Sequence, residues 1–157
     1  MTTFQWLLGF HLLGAFLLVS GAVGAGMLQL EAARRERPSE IALLLGLTRV
    51  AVAIVGVGSL LALAFGLWLV DHQGLDWGDA WISAAIVLWV VSLALGGIGG
   101  RSARHARHLA ERLARDGDRR SPELNRALAD PVARALNYGS FLTAVAILAL
   151  MFWKPGA

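Results

Sequence analysis

Four histidines and no cysteine limit the metal and nucleophile chemistry open to this 157-residue chain. His11 stands inside an uncharged apolar run, where an ionisable side chain is a functional candidate by default. A neutral imidazole there offers one lone pair. It suits axial ligation of a haem iron, or a hydrogen bond to a quinone or porphyrin. Gly9 and Gly14 leave space beside the ring. The plainer reading is a histidine bonded to a carbonyl or hydroxyl of a neighbouring helix. Two histidine ligands would need a second His at the same depth, and none exists. Met151, near the end of the last apolar run, could serve as the partner ligand, or simply pack. The residues thus leave the cofactor open, with haem b at His11 as the candidate to test.

The other candidates are weaker in type or spacing. His105 and His108 share a helix face three residues apart but lack a third ligand and lie among arginines. A solvated basic face against anionic headgroups suits them better than a metal. Asp71, His72, Asp76 and Asp79 could take copper or zinc, or could simply form an acidic turn. Arg49 reads as a side chain snorkelling to an interface, with Glu31 or Glu40 as conceivable partners. No Walker loop, Ser-His-Asp arrangement or intramembrane Asp, Glu, Lys or Arg is present, so no catalytic constellation or proton relay is expected.

Membrane helices must position these residues. Only 16% of residues are charged and 57% are hydrophobic, short of what a soluble surface needs. Uncharged runs span Phe4 to Leu30, Val50 to Val70, Ala80 to Gly100 and Ala135 to Trp153. About 20 apolar residues cross a hydrocarbon core as helix, the form that pairs every backbone group internally. Continuous apolarity excludes barrel strands. The first run lacks a basic leader and is too long for a signal core, so it is expected to stay as a helix. The expectation is an all-α, single four-helix membrane domain over 1–157. Its helices fall near 4–30, 49–70, 80–100 and 133–153, with a cytoplasmic helical segment over 101–131.

Thirteen of the 14 basic residues lie in two loops: Arg34, Arg35, Arg37 and Arg49, then nine arginines from Arg101 to Arg134. Lys154 is the exception. The positive-inside rule puts both loops in the cytoplasm and both termini outside. Trp6, Trp68, Trp77, Trp81 and Trp153 then fall at the outer boundary as an aromatic collar, with Trp89 deep in a run. The basic pI near 10.5 reflects this topology and not nucleic-acid binding.

Within the long basic loop, Asp116-Gly117-Asp118 reads as a turn. Ser121-Pro122, Asp130-Pro131 and Pro38-Ser39-Glu40 read as helix starts. Small residues mark close-approach faces: Gly14, Gly21 and Ala25; Ser59, Ala62 and Gly66; Ser92, Gly96 and Gly100; Gly139, Thr143 and Ala146. The third ridge suits packing within a bundle, or a seam with a second copy or another membrane protein.

Three stretches carry a family resemblance: Phe10-His11-Leu12-Leu13-Gly14-Ala15; Gly66-Leu67-Trp68-Leu69-Val70 with Trp77-Gly78-Asp79-Ala80-Trp81; and Met151-Phe152-Trp153-Lys154-Pro155. With the helix number and loop sizes, they resemble the bacterial integral membrane proteins of domain-of-unknown-function family 2269. That resemblance implies a multi-pass inner-membrane protein of unknown function. More distantly the chain looks like copper-resistance D-type membrane domains and the membrane-bound bacterial protoporphyrinogen oxidase. Those place a His near the outer part of the first helix, in the oxidase with haem. By that resemblance His11 is the matching position.

Overall fold

The computed structural model describes residues 2–153, so Lys154 and Pro155 lie outside it. The order is α1 (Thr3–Arg34), α2 (Pro38–His72), α3 (Ala80–Arg115), α4 (Pro122–Leu128) and α5 (Pro131–Trp153). No strand occurs among the described residues. Four of the segments are long and apolar enough to cross a membrane. The protein is an all-α polytopic membrane protein. Large side chains such as Phe16, Met27, Leu60 and Leu142 face outward, as they do when lipid is the solvent.

Local sequence starts each helix. Thr2 and Gln5 form a reciprocal capping box on α1. Pro38 opens α2 and Ser121-Pro122 opens α4, with Ser121 Oγ accepting from the Leu124 amide. Asp130 Oδ1 accepts from the amides of Val132 and Ala133 at the start of α5. Its carboxyl is held below its ordinary pKa, chiefly by the Ala133 N–H, with Ser102 and the Val132 N–H adding and desolvation opposing. α1 runs on one turn past its apolar stretch to Arg34, α2 starts at Pro38 well before its own, and α3 continues through the expected cytoplasmic segment to Arg115. Their ends project as amphipathic or charged helix.

α1 packs along α2, α3 along α5, and α2 against α3, with α4 lying on α3. The α1–α2 seam closes at glycine. A side chain on Gly58 would stand 2.7 Å from the Gly14 carbonyl oxygen, and one on Gly21 would stand 2.9 Å from that of Ala51. Lipid supplies no hydrophobic drive between helices, so this backbone approach supplies the attraction. Gly58 joins the expected Ala62 and Gly66 on that face.

The Ser92 ridge is used within the chain. Ser140 Oγ donates to the Ser92 carbonyl at 2.9 Å, and Ser92 Oγ donates to the Ser140 carbonyl at 3.1 Å. A side chain on Gly96 would meet Ser140 Oγ at 3.0 Å, and Gly99, not Gly100, continues the seam against Asn137 and Ala133. Trp89 ties α3 to α2 by donating to Ser59 Oγ at 2.8 Å.

A small apolar core lies beneath the membrane end of the bundle, built from Ala32, Ile41, Leu45, Ala106, Leu109, Ala110 and Leu124. The turn between α3 and α4 clasps it. Ser39 donates from its amide and its hydroxyl to the Asp118 carboxylate, both at 2.8 Å. Arg120 donates to the carbonyls of Arg35 at 3.0 Å and Ala33 at 3.3 Å. An anion thus meets the N-terminus of α2 and a cation the C-terminus of α1, each matching the helix dipole. Gly117 at φ 98° and Asp118 at φ 53° make the turn that aims them.

Candidate functional site

His11 is buried, with 9% of its surface exposed. It lies on the α1 face that carries Gly14 and so points toward α2. Its Nδ1 stands 2.7 Å from the Ala62 carbonyl oxygen. Its Nε2 stands 3.3 Å from Met151 Sδ on α5. The absent side chain of Gly66 makes the slot for the ring, since a Cβ there would sit 3.0 Å from both Cε1 and Nδ1. Three helices therefore converge on one imidazole. α1 and α5 otherwise approach sparsely. Another polar bridge between them is Asn137 Nδ2 donating to Gln29 Oε1 at 3.3 Å, towards the opposite end.

The hydrogen-bond roles decide the chemistry. Carbonyl oxygen only accepts, so Nδ1 carries the proton and donates to Ala62. A neutral imidazole then has a bare lone pair at Nε2. This is the arrangement in which a backbone carbonyl fixes the tautomer of a metal-binding histidine. Haem meets a geometric test here. Bond lengths of about 2.0 Å to nitrogen and about 2.3 Å to sulfur place ligands on opposite sides of an ion about 4.3 Å apart. The observed 3.3 Å does not admit an iron, still less a porphyrin plane, between His11 and Met151. The two do not form an axial pair as they stand.

The remaining candidates do not assemble. Among the described residues no three His, Cys, Asp or Glu side chains converge on a metal position. Asp76 Oδ1 accepts from the Gly78 amide at 2.8 Å, and Asp79 caps α3 through its carbonyl. The acids near His72 shape a turn. His108 lies between Arg107 and Glu111, with Arg107 Nη2 donating to its Nε2 at 3.3 Å. His105 instead lines a groove with Arg101 and Asp130. Glu31 pairs with Arg34 and Arg35, and Glu40 with Arg35, while Arg49 is exposed.

The aromatic collar needs one correction. Trp6, Trp68, Trp77 and Trp153 are exposed, but Trp81 is buried against Val70 and Ile82. Position at an interface does not fix which helix face a residue takes, and Trp81 falls on the face turned to α2. On the outward side, Trp6, Phe10, Phe65 and Trp68 stack in a ladder with centroids 5.9, 4.9 and 6.3 Å apart.

The Ala62 carbonyl and the Gly66 slot escaped sequence reading as parts of the site, although both residues lie on a small-residue face legible there. A carbonyl freed to accept a second bond has no sequence signature.

A family model described as a predicted integral membrane protein, domain of unknown function 2269, matches residues 5–155. No curated protein and no solved structure matches the chain.

Proposed function

The chain belongs to domain-of-unknown-function family 2269, and from that premise we propose that it is an inner-membrane binding protein built around His11. In this reading it is one four-helix domain, with the Arg-rich loops in the cytoplasm and both termini outside. The bundle presents a fixed electron-pair donor within its apolar part. One observation carries the reading: His11 Nδ1 stands 2.7 Å from the Ala62 carbonyl oxygen. An oxygen that only accepts assigns the ring proton to Nδ1 and leaves Nε2 as an oriented lone pair.

Haem b was the first expectation for that donor. The 3.3 Å approach of Met151 speaks against iron held between the two side chains. A tetrapyrrole would have to use His11 alone with Met151 displaced. Association through the Ser92, Gly96 and Gly100 ridge loses its support, because α5 covers Ser92 and Gly96. Copper handling at His72 loses support with the dispersed acids.

The test is to purify the protein in detergent from cells supplied with haem precursor and trace metals. Absorption spectra and elemental content are compared for wild type and His11→Ala. A chromophore or metal present in wild type and lost in the variant is expected. Equal content in the two would overturn the reading.

A further inference from the structure

The groove between α3 and the start of α5 is amphipathic along its length. Its volume is about 380 Å³. The α3 wall is Ile98, Arg101, Ser102 and His105, the spacing of a single helix face. These positions descend about 10 Å along the axis. They cross the point where the apolar run ends at Gly100 and the arginines begin. The α5 wall is apolar, made by Val132, Ala133 and Leu136. Gly99 packs against Ala133 and Asn137, which sets the two walls level with each other at that boundary.

The polar groups of the groove differ in how far they are already engaged. Among the described residues neither Arg101 nor His105 has a hydrogen-bond or ion-pair partner. Their neighbours on α3 do. Arg107 and His108 both pair with Glu111, and Arg104 reaches back to the Gly97 carbonyl at 3.4 Å. Ser102 Oγ donates to the Ala127 carbonyl at 3.1 Å. Asp130 is the acid lining the groove, and its Oδ1 is turned to the Val132 and Ala133 amides. A guanidinium and an imidazole therefore stand open at the polar end of an apolar wall.

We propose that this groove binds one anionic phospholipid, with its phosphate on Arg101 and His105 and an acyl chain along Ile98, Val132 and Leu136. The order of the groups selects the ligand. A guanidinium offers a phosphate two parallel N–H donors, and an imidazole N–H adds a third. A free phosphate would leave the apolar walls unused. A hydrocarbon chain alone would leave the guanidinium without an anion. A basic pocket between membrane helices, at headgroup depth, is the arrangement that holds an anionic headgroup in place. The site is separate from His11, which meets α5 at Met151, about four turns along the helix from Leu136.

Native mass spectrometry of the protein in mild detergent tests this. The protein is titrated with phosphatidylglycerol, or with phosphatidylethanolamine of the same acyl chains. One phosphatidylglycerol per chain is expected to bind in preference. Arg101→Gln should weaken it about fivefold, the effect of one arginine on an anionic lipid at the surface. Val132→Trp narrows the groove without changing charge and should also weaken it. Both residues are exposed, so the helix content of these variants should match wild type by circular dichroism. Asp130→Asn removes the negative charge but keeps a capping side chain, and should tighten binding. Arg112→Gln and Arg115→Gln lie about 16 Å or more along α3 and should leave affinity within about twofold, since salt screens charges at that range. A diazirine near the carboxyl end of an acyl chain should label Ile98 or Leu136 in wild type and not in Arg101→Gln. Equal affinity for the two lipids, or indifference to Arg101→Gln, would overturn the proposal. An equal loss in Arg112→Gln would overturn it by showing a diffuse basic face. Preference for phosphatidylethanolamine, lost in Asp130→Asn, would overturn it in favour of an ammonium headgroup. Displacement of the lipid by inorganic phosphate at equal concentration would overturn it in favour of a free-anion site.

Discussion

At the scale of single residues, the bundle relies on a few polar contacts between helices. The Trp89 indole needs an acceptor at depth, and Ser59 supplies it. Ser59→Ala is expected to cost about 1 kcal/mol, in line with interhelical hydrogen bonds measured in membranes. Reversible unfolding in detergent checks this, and Ser59→Thr should retain most of the stability. His11 depends similarly on a missing atom. Gly66→Ala would press on Cε1 and Nδ1 at 3.0 Å, and the expected result is a displaced ring with a weakened Nδ1–H bond to Ala62. The downfield proton signal of that bond should move, which proton NMR of selectively labelled histidine can follow. His11 was legible as the group to watch because it is the one histidine in an apolar run. Its partners were not, because a carbonyl on α2 and a sulfur 140 positions away meet it only after three helices have packed.

At the scale of helices, backbone proximity separates glycines that matter from those that do not. Gly58→Leu would drive a side chain into the Gly14 carbonyl and the Leu18 amide. Overpacking of this kind costs about 1–3 kcal/mol, and here it should part α1 from α2. Gly24→Ala meets open space and is expected to be neutral or slightly stabilising. Thermal unfolding of the two variants side by side distinguishes a contact face from a lipid face.

The helix starts make a second set of predictions. Asp118→Ala should expose the Ser39 amide, and Arg120→Ala the last carbonyls of α1. Each cap is worth about 1 kcal/mol, and hydrogen exchange across 33–41 should rise. Asp130 adds a pH dependence. Its folded pKa lies below the unfolded one, so its contribution is fully present above the ordinary carboxylate range. It is lost as pH falls through the lowered value. Exchange at the Val132 and Ala133 amides should accelerate on acidification, and Asp130→Asn should remove most of that dependence. These caps were readable from Ser-Pro, Asp-Pro and Asp-Gly-Asp. The reach of Asp118 to α2 and Arg120 to α1 was not, because it crosses about eighty residues of chain.

At the scale of the whole molecule, the distribution of arginine predicts orientation. Reporters fused at either terminus should be active outside the cytoplasm, and cysteines introduced near Arg37 or Arg115 should react only with permeant reagents. The reverse pattern would contradict the proposed topology. The charge asymmetry has an energetic origin, since arginines resist translocation while apolar helices insert.

What the sequence determined by itself is the solvent and the element type. Long uncharged runs leave the backbone no partner but itself, so helices, their number and their starts follow from local chemistry. Tertiary structure alone decided which faces meet. Ser92 turned to α5, and Trp81 turned inward against α2. In lipid the choice between such faces depends on close fit and a few polar contacts, because every apolar face is equally at ease there. The same fit brings Met151 to His11, and neither position in the sequence reveals the other.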